Sequence, residues 1–290
     1  RVLMPFPTDA ALASTIAMPL QARIAPVAWR HFPDGESLVT LDDALSGADV
    51  AILASLRNAD ALALPLRFAA QTACEFGARS VGLIAPYLGY MRQDTRFHRG
   101  EAVSTPLFAR FLEEAFDWLV TVDPHLHRVS TLEEAVPTSS AIALSGAPLL
   151  SDLIASRRQQ PLLIGPDEES GQWLSQAASR HGFEYGVCHK TRHGDRNVEI
   201  TLPQLAVAGR AVVLIDDVAS SGHTLAGAAR LLIAAGAASV DVAVTHALFA
   251  GDALQVIKAA GVNEVWSTDC IAHPSNAVSM APAIAAALRG

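Results

Sequence analysis

The sequence predicts an α/β fold in which two tandem domains each contain a mainly parallel sheet flanked by helices. Short β-rich segments alternate with Ala- and Leu-rich helical segments along the whole chain, which is typical of a doubly wound sheet. Several β-rich segments, such as residues 212–215, are apolar on both faces, as parallel strands covered by helices are. The 290 residues are also nearly twice the usual length of one domain.

The predicted elements fall into two successive sets, and the rhythm restarts near residues 143–159. The predicted strands cover residues 2–6, 27–32, 50–54, 80–85 and 118–122 in the first set, and 161–164, 185–189, 211–215, 240–245 and 264–267 in the second. Helical patterns between them cover residues 59–76, 105–115, 171–181, 224–235 and 252–260. We therefore expect domains at residues 1–145 and 146–290, related by the order of their elements although no sequence repeat is obvious.

The composition excludes several classes of protein. With 51% hydrophobic and 17% charged residues, the chain can bury sizeable cores and is not disordered. A net charge of −8 argues against a nucleic-acid partner and against a polybasic membrane surface, and charged or polar residues interrupt each long apolar run. The three cysteines are widely spaced and form no CxxC pair, which argues against a zinc site or a disulfide framework and favours the cytoplasm.

The most informative segment reads Val-Val-Leu-Ile-Asp-Asp-Val-Ala-Ser-Ser-Gly-His-Thr-Leu at residues 212–225. It describes a buried strand that ends in two carboxylates, then a turn of small residues and a new helix. In open α/β sheets ligands bind beyond the carboxyl ends of the strands, and the N–H groups at a helix start suit phosphate. The carboxylates are candidates to hold sugar hydroxyls or a metal-bound water. The alternative is that Ser221 only caps the helix and Asp216 only ends the strand.

This segment resembles the phosphoribosyl-pyrophosphate loop shared by type I phosphoribosyltransferases and ribose-phosphate pyrophosphokinases. The resemblance implies two phosphoribosyltransferase-like domains. It also implies that one set of residues binds ribose 5-phosphate, namely Asp216, Asp217, Ser220, Ser221, Gly222, His223 and Thr224. His223 departs from the family pattern, because glycine is usual there and a side chain could crowd the 5-phosphate or restrict φ.

Residues 86–101 distinguish the two families. They begin Pro-Tyr-Leu-Gly-Tyr-Met-Arg-Gln-Asp and carry three arginines, which make a local anion site plausible in an acidic chain. They resemble the ATP segment of the pyrophosphokinases, which implies contacts to ATP from Arg92, Gln93 and Asp94. A phosphoribosyltransferase would lack this segment and would need only one such domain. A solvated charged loop is the alternative interpretation.

The Phe-Pro-Asp-Gly-Glu run at residues 32–36 resembles the adenine-binding hairpin of the same enzymes. The resemblance implies that Phe32 stacks on the base, while Asp34 and Glu36 contact polar groups of adenosine. An ordinary Asp-Gly turn is the alternative, since that dipeptide is common in hairpins.

The Asp-Pro-His-Leu-His run at residues 123–127 occupies the place of the family's Asp-Leu-His. The resemblance implies that a histidine touches Mg²⁺–ATP, and His125 is preferred over His127. A neutral imidazole suits either a metal or a phosphate. The alternative is a structural histidine.

Two segments of the second domain complete the resemblance. Gly-Pro-Asp at residues 165–167 resembles the pyrophosphate loop, which implies that Asp167 binds Mg²⁺. Lys-Thr-Arg at residues 190–192 resembles the catalytic loop, which implies that Lys190 and Arg192 close over the transferred group and that Arg192 also contacts ribose 5-phosphate. The alternative is that Lys190 and Arg192 are ordinary solvent-exposed basic residues without a role in binding or catalysis.

A further departure is the pair Glu168 and Glu169, which follows Asp167 where the family has small or basic residues and glycine. Two extra negative charges near a polyphosphate site either point away, or help to hold an additional Mg²⁺, or reduce activity.

Taken over the whole chain, the resemblance is closest to the archaeal-type branch of the ribose-phosphate pyrophosphokinases. It implies an enzyme that transfers the β,γ-diphosphoryl group of ATP to the 1-hydroxyl of ribose 5-phosphate, with Mg²⁺ as cofactor. It also implies a cytoplasmic homo-oligomer, a dimer or larger, without a nucleic-acid or membrane partner. The alternatives are a catalytically weak, nucleotide-binding regulatory paralogue of a synthetase, which His223, Glu168 and Glu169 motivate, and a phosphoribosyltransferase.

Overall fold

The computed structural model describes residues 1–96, 98–126, 131–136, 140–193 and 197–289, without the side chains of residues 191–193 and 197–199. The described chain forms two compact units: unit 1 comprises Arg1–Leu144 and Met280–Gly290, and unit 2 comprises Ser145–Ser279. Each unit contains a six-stranded sheet and a two-stranded sheet. The predicted α/β fold with two mainly parallel sheets is confirmed.

The strands are, in chain order, β1 (Val2–Pro5), β2 (Arg23–Ile24), β3 (Ala28–His31), β4 (Ser37–Thr40), β5 (Asp49–Leu53), β6 (Ser80–Ala85), β7 (Trp118–Val122), β8 (Ser140–Leu144), β9 (Leu162–Gly165), β10 (Tyr185–Val187), β11 (His189–His193), β12 (Asn197–Thr201), β13 (Ala211–Ala219), β14 (Ser239–Ala247), β15 (Val265–Thr268) and β16 (Asn276–Val278). The helices are α1 (Ala10–Leu20), α2 (Ala59–Glu75), α3 (Ser104–Glu113), α4 (Leu132–Ala135), α5 (Ala147–Arg157), α6 (Gly171–His181), α7 (His223–Ala234), α8 (Ala253–Ala259) and α9 (Ala281–Ala287). Single 3₁₀ turns follow β1 and β9, at Pro7–Asp9 and Glu168–Ser170. None of the helices in the described part of the chain combines the length and hydropathy needed to cross a bilayer.

The large sheet of unit 1 is parallel throughout, with the strand order β2–β1–β5–β6–β7–β8. Ile52 and Leu83 belong to the core that also contains buried residues of α2 and α3. The next residues along the same strands, Leu53 and Ile84, point to the opposite face and are fully buried as well. Burial on both faces explains why these strands are apolar in both directions.

The end of the chain returns to unit 1. The sequence-based domain limits placed residues 280–290 in the second domain, whereas the structure groups Met280–Gly290 with unit 1. The physical reason is that α9 packs against α1 and β8. In addition, the guanidinium of Arg1 donates to the carbonyl oxygen of Leu288.

The large sheet of unit 2 is also parallel, with the strand order β10–β9–β13–β14–β15–β16. One face, represented by Leu214, packs on a core formed with α7 and α8. The other face, represented by Val213, packs with α5 and α6. Both faces are again covered, so the uninterrupted apolar run before Asp216 is a central strand.

The two units share one plan. Numbered within its unit, each large sheet has the order 2–1–3–4–5–6, and each unit inserts a two-stranded antiparallel hairpin between its second and third sheet strands, β3–β4 in unit 1 and β11–β12 in unit 2. Two predicted strands change role as a result. Residues 27–32 form the hairpin strand β3, whose Arg30 and His31 are exposed, and residues 185–189 divide between β10 and β11.

Candidate active site

The aspartate pair of the predicted phosphate loop lies inside β13, because this strand continues to Ala219 instead of ending at residue 215. Adjacent residues of a strand point to opposite faces, and the two side chains differ accordingly. Asp217 is 2% exposed, whereas Asp216 is half-buried. The backbone N–H of Asp217 donates to Asp216 Oδ1 at 3.0 Å. This bond holds the Asp216 side chain near the C-terminal end of β13.

Asp216 lies among other acidic groups. Its burial first, and then the carboxylates of Asp217 and Asp167, raise the pKa of Asp216 well above its usual value. Nearby like charges disfavour ionisation. A cation near Asp216 would offset this repulsion, so the surroundings of Asp216 suit positive charge.

The turn after β13 is built around Gly222. Its φ of +74° lies in the left-handed region, and an added Cβ would lie 2.9 Å from the carbonyl oxygen of Ala253 and 3.0 Å from the side chain of Ile257. Only glycine tolerates both conditions. α7 begins at the next residue, and no side chain among the described residues caps its start. Its first N–H groups are therefore well placed for an anion such as phosphate.

His223, which departs from the family pattern, is the first residue of α7 and is exposed. It is not among the described residues with positive φ, because Gly222 already makes the left-handed turn. The histidine therefore imposes no unusual backbone conformation on the loop. Around it, Ser220 and Thr224 are half-buried and Ser221 is exposed.

The ammonium group of Lys190 lies beside this turn. Lys190 is the second residue of β11, and its Nζ lies 3.5 Å from Asp167 Oδ2 and 3.3 Å from Thr224 Oγ1. The side chains of Lys190 and Asp167 are only 18% and 16% exposed, so water screens their attraction incompletely. The fold thus brings together three predicted residues from three separate segments of unit 2.

The loop after β9 directs its first two acidic side chains differently. Asp167 contacts Lys190, whereas Glu168 Oε1 lies 3.0 Å from Nδ1 of His189 at the start of β11. Hydrogen bonds to the Glu168 carboxylate from its own backbone N–H, from His189 and from the backbone N–H of Lys190 lower the pKa of Glu168. The extra charge at residue 168 is therefore held against β11. Glu169 is exposed.

Arg192 lies in β11, where its backbone pairs in register with Val198 of β12. Its side chain is outside the described part of the structure. The catalytic and ribose 5-phosphate roles of Arg192 therefore stay predictions.

The segment that resembles the adenine hairpin is the end of the β3–β4 hairpin in unit 1. The N–H of Phe32 donates to the carbonyl oxygen of Glu36 at 2.8 Å, and Gly35 has φ +92°. The N–H of Glu36 donates to Asp34 Oδ1 at 3.1 Å, so the aspartate also stabilises the turn. The side chain of Phe32 is 39% exposed, with the guanidinium carbon of Arg30 5.0 Å from the ring centroid. An exposed aromatic ring is thus presented at the tip of a defined hairpin.

The segment that resembles the ATP segment is anchored on Thr105, near the start of α3. Thr105 Oγ1 lies 2.9 Å from the carbonyl oxygen of Tyr90 and 3.0 Å from that of Gln93, a shared hydrogen bond. The N–H of Thr105 donates to the same Gln93 oxygen at 3.2 Å. On this anchored loop Arg92 is exposed, whereas Gln93 and Asp94 are half-buried. The arginine is therefore accessible to an anionic ligand.

His125 follows β7 in unit 1 and is half-buried. β6 and β7 pair in parallel, with Ala85 opposite Thr121. The ATP-like segment after β6 and His125 after β7 therefore leave the same edge of the sheet, the edge where ligands bind in this class of fold. His127, the other histidine considered, lies outside the described residues.

Sequence reasoning missed two residues that shape these loops. His189 directly precedes Lys190 and contacts Glu168. The signal in the sequence was that each lies next to a candidate site residue, His189 beside Lys190 and Glu168 beside Asp167. Thr105 holds the ATP-like segment; the available signal was the Ser-Thr-Pro run at a helix start.

Comparisons with known proteins cover both units. Residues 2–115 match a family model described as the N-terminal domain of ribose phosphate pyrophosphokinase, and residues 134–266 match a phosphoribosyl transferase domain. A ribose-phosphate pyrophosphokinase of Methanopyrus kandleri is 36% identical over 96% of this chain and 94% of its own length. One from Halobacterium salinarum is 35% identical over 96% of both chains.

A solved structure has the same architecture over the full length. The crystal structure of phosphoribosylpyrophosphate synthetase from Mycobacterium smegmatis superposes with a TM-score of 0.85 at 25% sequence identity. The match covers 100% of this chain and 98% of the other. Both the sequence relatives and this structure therefore match the two halves together.

Proposed function

The chain belongs to the ribose-phosphate pyrophosphokinase family, and on that premise we propose that it transfers the β,γ-diphosphoryl group of ATP to ribose 5-phosphate. The sugar's 1-hydroxyl releases its proton to solvent and forms a bond to the β-phosphorus. The bond from that phosphorus to the oxygen of the α-phosphate breaks, and AMP leaves in line. The products are AMP and 5-phosphoribosyl 1-pyrophosphate. Charge develops on the oxygens around the β-phosphorus, so catalysis depends on positioning and electrostatic stabilisation.

The observation that carries this proposal is the match of both halves to relatives that bear one name. Relatives named ribose-phosphate pyrophosphokinase align with 94–98% of this chain. The first half alone matches a domain named for that enzyme. A phosphoribosyltransferase would account for the second half only, so the synthetase explains more of the chain.

Ribose 5-phosphate is assigned to the loop after β13. The first N–H groups of α7 and the hydroxyls of Ser220, Ser221 and Thr224 supply donors for the 5-phosphate. Asp216 and Asp217 supply acceptors for the sugar hydroxyls. The left-handed turn at Gly222 directs the first N–H groups of α7 toward the place assigned to the phosphate.

Lys190 is the residue assigned to charge stabilisation. Its ammonium lies between Asp167 and Thr224, so a diphosphate bound near the loop would present oxygens to the same Nζ. Arg192 is assigned to the same task from the same strand. Fixed positive charges aimed at developing negative charge lower the barrier, because they need no reorganisation during the reaction.

ATP is assigned to unit 1 residues. Phe32 stacks on adenine, Asp34 and Glu36 contact the nucleoside, and Arg92 pairs with phosphate oxygens. The remaining assigned contacts come from Gln93, Asp94 and His125. The exposure of the Phe32 ring and of Arg92 supports these roles, since a ligand can reach both.

Mg²⁺ is the cofactor that we assign. In unit 2 Asp167 is its assigned ligand, and in unit 1 His125 is assigned separately to contact Mg²⁺–ATP. Across the described residues, no three His, Cys, Asp or Glu side chains form a ready-made metal site. Mg²⁺ usually takes one or two carboxylates together with substrate phosphates and water, so the substrate would supply its remaining ligands. The crowding of carboxyl groups at Asp167 and Asp216 fits an added cation. When bound, the ion would neutralise phosphate charge, while Asp167 holds it in place.

We further propose that the protein acts in the cytoplasm as a homo-oligomer of two or more subunits, without nucleic acid or membrane as a partner. The acidic balance of 29 Asp and Glu against 21 Lys and Arg supports the absence of a polyanionic partner. Size-exclusion chromatography with light scattering measures the assembly directly.

The test of the proposed function is incubation with Mg²⁺, ATP and ribose 5-phosphate, followed by ³¹P NMR. We expect AMP to appear in step with 5-phosphoribosyl 1-pyrophosphate. Release of ADP, or no turnover, would overturn the proposal. ATP binding by calorimetry without AMP release would favour the regulatory paralogue, and turnover of 5-phosphoribosyl 1-pyrophosphate with a nucleobase would favour a transferase.

A further inference from the structure

We propose that Glu168 is a positioning residue that sets the place of Lys190, and that it acts by holding the start of β11 through His189. This inference rests on the proposed function, in which Lys190 stabilises the transferred group. It gives a role to an acidic residue that departs from the family pattern.

The first argument is the weak attachment of the strand that carries Lys190. β11 and β12 form a separate two-stranded sheet and share no strand pairing with the six-stranded sheet of unit 2 in the described chain. At the near end, the N–H of the buried Cys188 donates to the carbonyl oxygen of Gly165 at 2.9 Å. At the far end, Ile200 and Leu202 pack on the core. Between these two attachments, side-chain contacts must hold the β11–β12 hairpin in position.

The second argument is the contact made by the Glu168 carboxylate. Glu168 Oε1 lies 3.0 Å from Nδ1 of His189, which is the first residue of β11. His189 directly precedes Lys190, so a contact that holds His189 also restricts the main chain of Lys190. Movement of the start of β11 would break this contact, so the carboxylate limits where the ammonium can reach.

The third argument is the pairing of two neighbouring loop residues with two neighbouring strand residues. Asp167 contacts the Lys190 side chain, and Glu168 contacts His189. The first contact is 16–18% exposed, whereas the side chains of the second are 55% and 70% exposed. In the proposed reaction, Asp167 and Lys190 must both exchange partners when metal and phosphates bind. The contact between Glu168 and His189 takes no part in that exchange. It therefore holds β11 in place while Asp167 and Lys190 separate.

The experiment compares four proteins in the ³¹P or AMP-release assay: wild type, Glu168→Ala, Glu168→Gln and Glu113→Ala. Glu113 is an exposed residue of α3 and serves as the charge-matched control. We expect Glu168→Ala to lower kcat about tenfold, which corresponds to about 1.4 kcal/mol, while KM for both substrates changes less than about threefold. Glu168→Gln should recover most of the loss, because its amide oxygen can still accept a hydrogen bond from Nδ1 of His189. Glu113→Ala should match wild type.

A second comparison separates positioning from general stability. In a Lys190→Ala background, Glu168→Ala should cause no further loss of kcat, since residues that act through one group are not additive. An independent further tenfold loss would overturn the inference, as would wild-type kcat in Glu168→Ala. A wild-type protein that releases no AMP would instead overturn the proposed function and the inference together.

Discussion

The two units insert a hairpin at the same point of the same strand plan, yet the hairpins have different environments. In unit 1 the β3–β4 hairpin ends in an exposed ring, Phe32, next to Arg30. In unit 2 the β11–β12 hairpin brings Lys190 into a half-enclosed contact with Asp167 and Thr224. The shared strand plan therefore sets where each hairpin lies. The side chains set its character: the unit 1 hairpin presents the exposed ring of Phe32, and the unit 2 hairpin places the ammonium group of Lys190 beside Asp167.

The first strand of each large sheet shows the same contrast. Each is followed by a 3₁₀ turn and an aspartate at or beside it. In unit 1, Asp9 is 6% exposed, and its carboxyl group accepts from the Thr8 hydroxyl at 2.8 Å and the Ser55 N–H at 3.3 Å. In unit 2, Asp167 meets the ammonium of Lys190 instead. Hydrogen bonds from neighbouring residues therefore satisfy the Asp9 carboxyl group, whereas the Asp167 carboxyl group contacts a lysine side chain.

The largest expected effect tests whether the unit 2 hairpin carries the chemistry. Lys190→Ala should lower kcat on the order of 10²–10³-fold, as removal of one preorganised charge does, while KM for ATP changes much less. Lys258→Ala is the matched control, since Lys258 is the other lysine of the chain and donates to the carbonyl oxygen of Asn263. Steady-state kinetics decides the matter: unchanged turnover in Lys190→Ala would remove this residue from catalysis.

The second prediction concerns the turn at Gly222. Gly222→Ala should cost about 1–2 kcal/mol of unfolding free energy from the left-handed backbone and should raise KM for ribose 5-phosphate roughly tenfold. Gly209→Ala separates strain from ligand binding, because Gly209 has the same φ of +74° with open space around it. The control should lose stability and keep its KM; a raised KM in both variants would contradict a local role for the turn.

The third prediction tests the unit 1 hairpin. Phe32→Ala should raise KM for ATP about tenfold, since stacking of a base on an aromatic ring contributes on the order of 1–3 kcal/mol, while KM for ribose 5-phosphate stays unchanged. Phe68→Ala is the control, because Phe32 and Phe68 have the same 39% exposure. Equal ATP affinity in the Phe32 and Phe68 variants would show that the hairpin does not bind adenine.

The smallest expected effect concerns the closed carboxyl site of unit 1. Burial raises the pKa of Asp9 above 3.8, so the folded state binds a proton more tightly than the unfolded state. Stability from this residue is therefore greatest below pH 3.8 and falls as pH rises through the raised pKa. Asp9→Asn keeps the acceptor and removes the charge, so its Tm should exceed that of wild type at pH 7, by roughly 2–4 °C for each 1 kcal/mol gained.

The Tm difference for Asp9→Asn should shrink as the pH falls toward 3.5, because wild-type Asp9 then gains its proton. Thermal unfolding across pH 3.5–8 measures it. A lower Tm for the variant at pH 7 would show that the ionised carboxylate, rather than a neutral acceptor, stabilises this corner.

Much of the fold was accessible from the sequence, because apolar runs and their spacing report strands and helices locally. The central strand before Asp216 is one example: four consecutive apolar residues require cover on both faces. The exceptions have physical reasons. The helical segment after residue 280 joins unit 1 through packing against α1, a contact between residues far apart in the chain, and no local pattern encodes such a choice.

The sequence by itself determined the family, the two-unit α/β plan and the identity of the candidate residues, because those properties follow from local patterns and from motifs in a fixed order. Only the tertiary structure decided which side chains meet. Asp167 and Glu168 are neighbours with similar chemistry, yet one contacts Lys190 and the other contacts His189, 21 residues away. That division depends on how the β11–β12 hairpin sits against the loop after β9, which is a property of packing and not of local sequence.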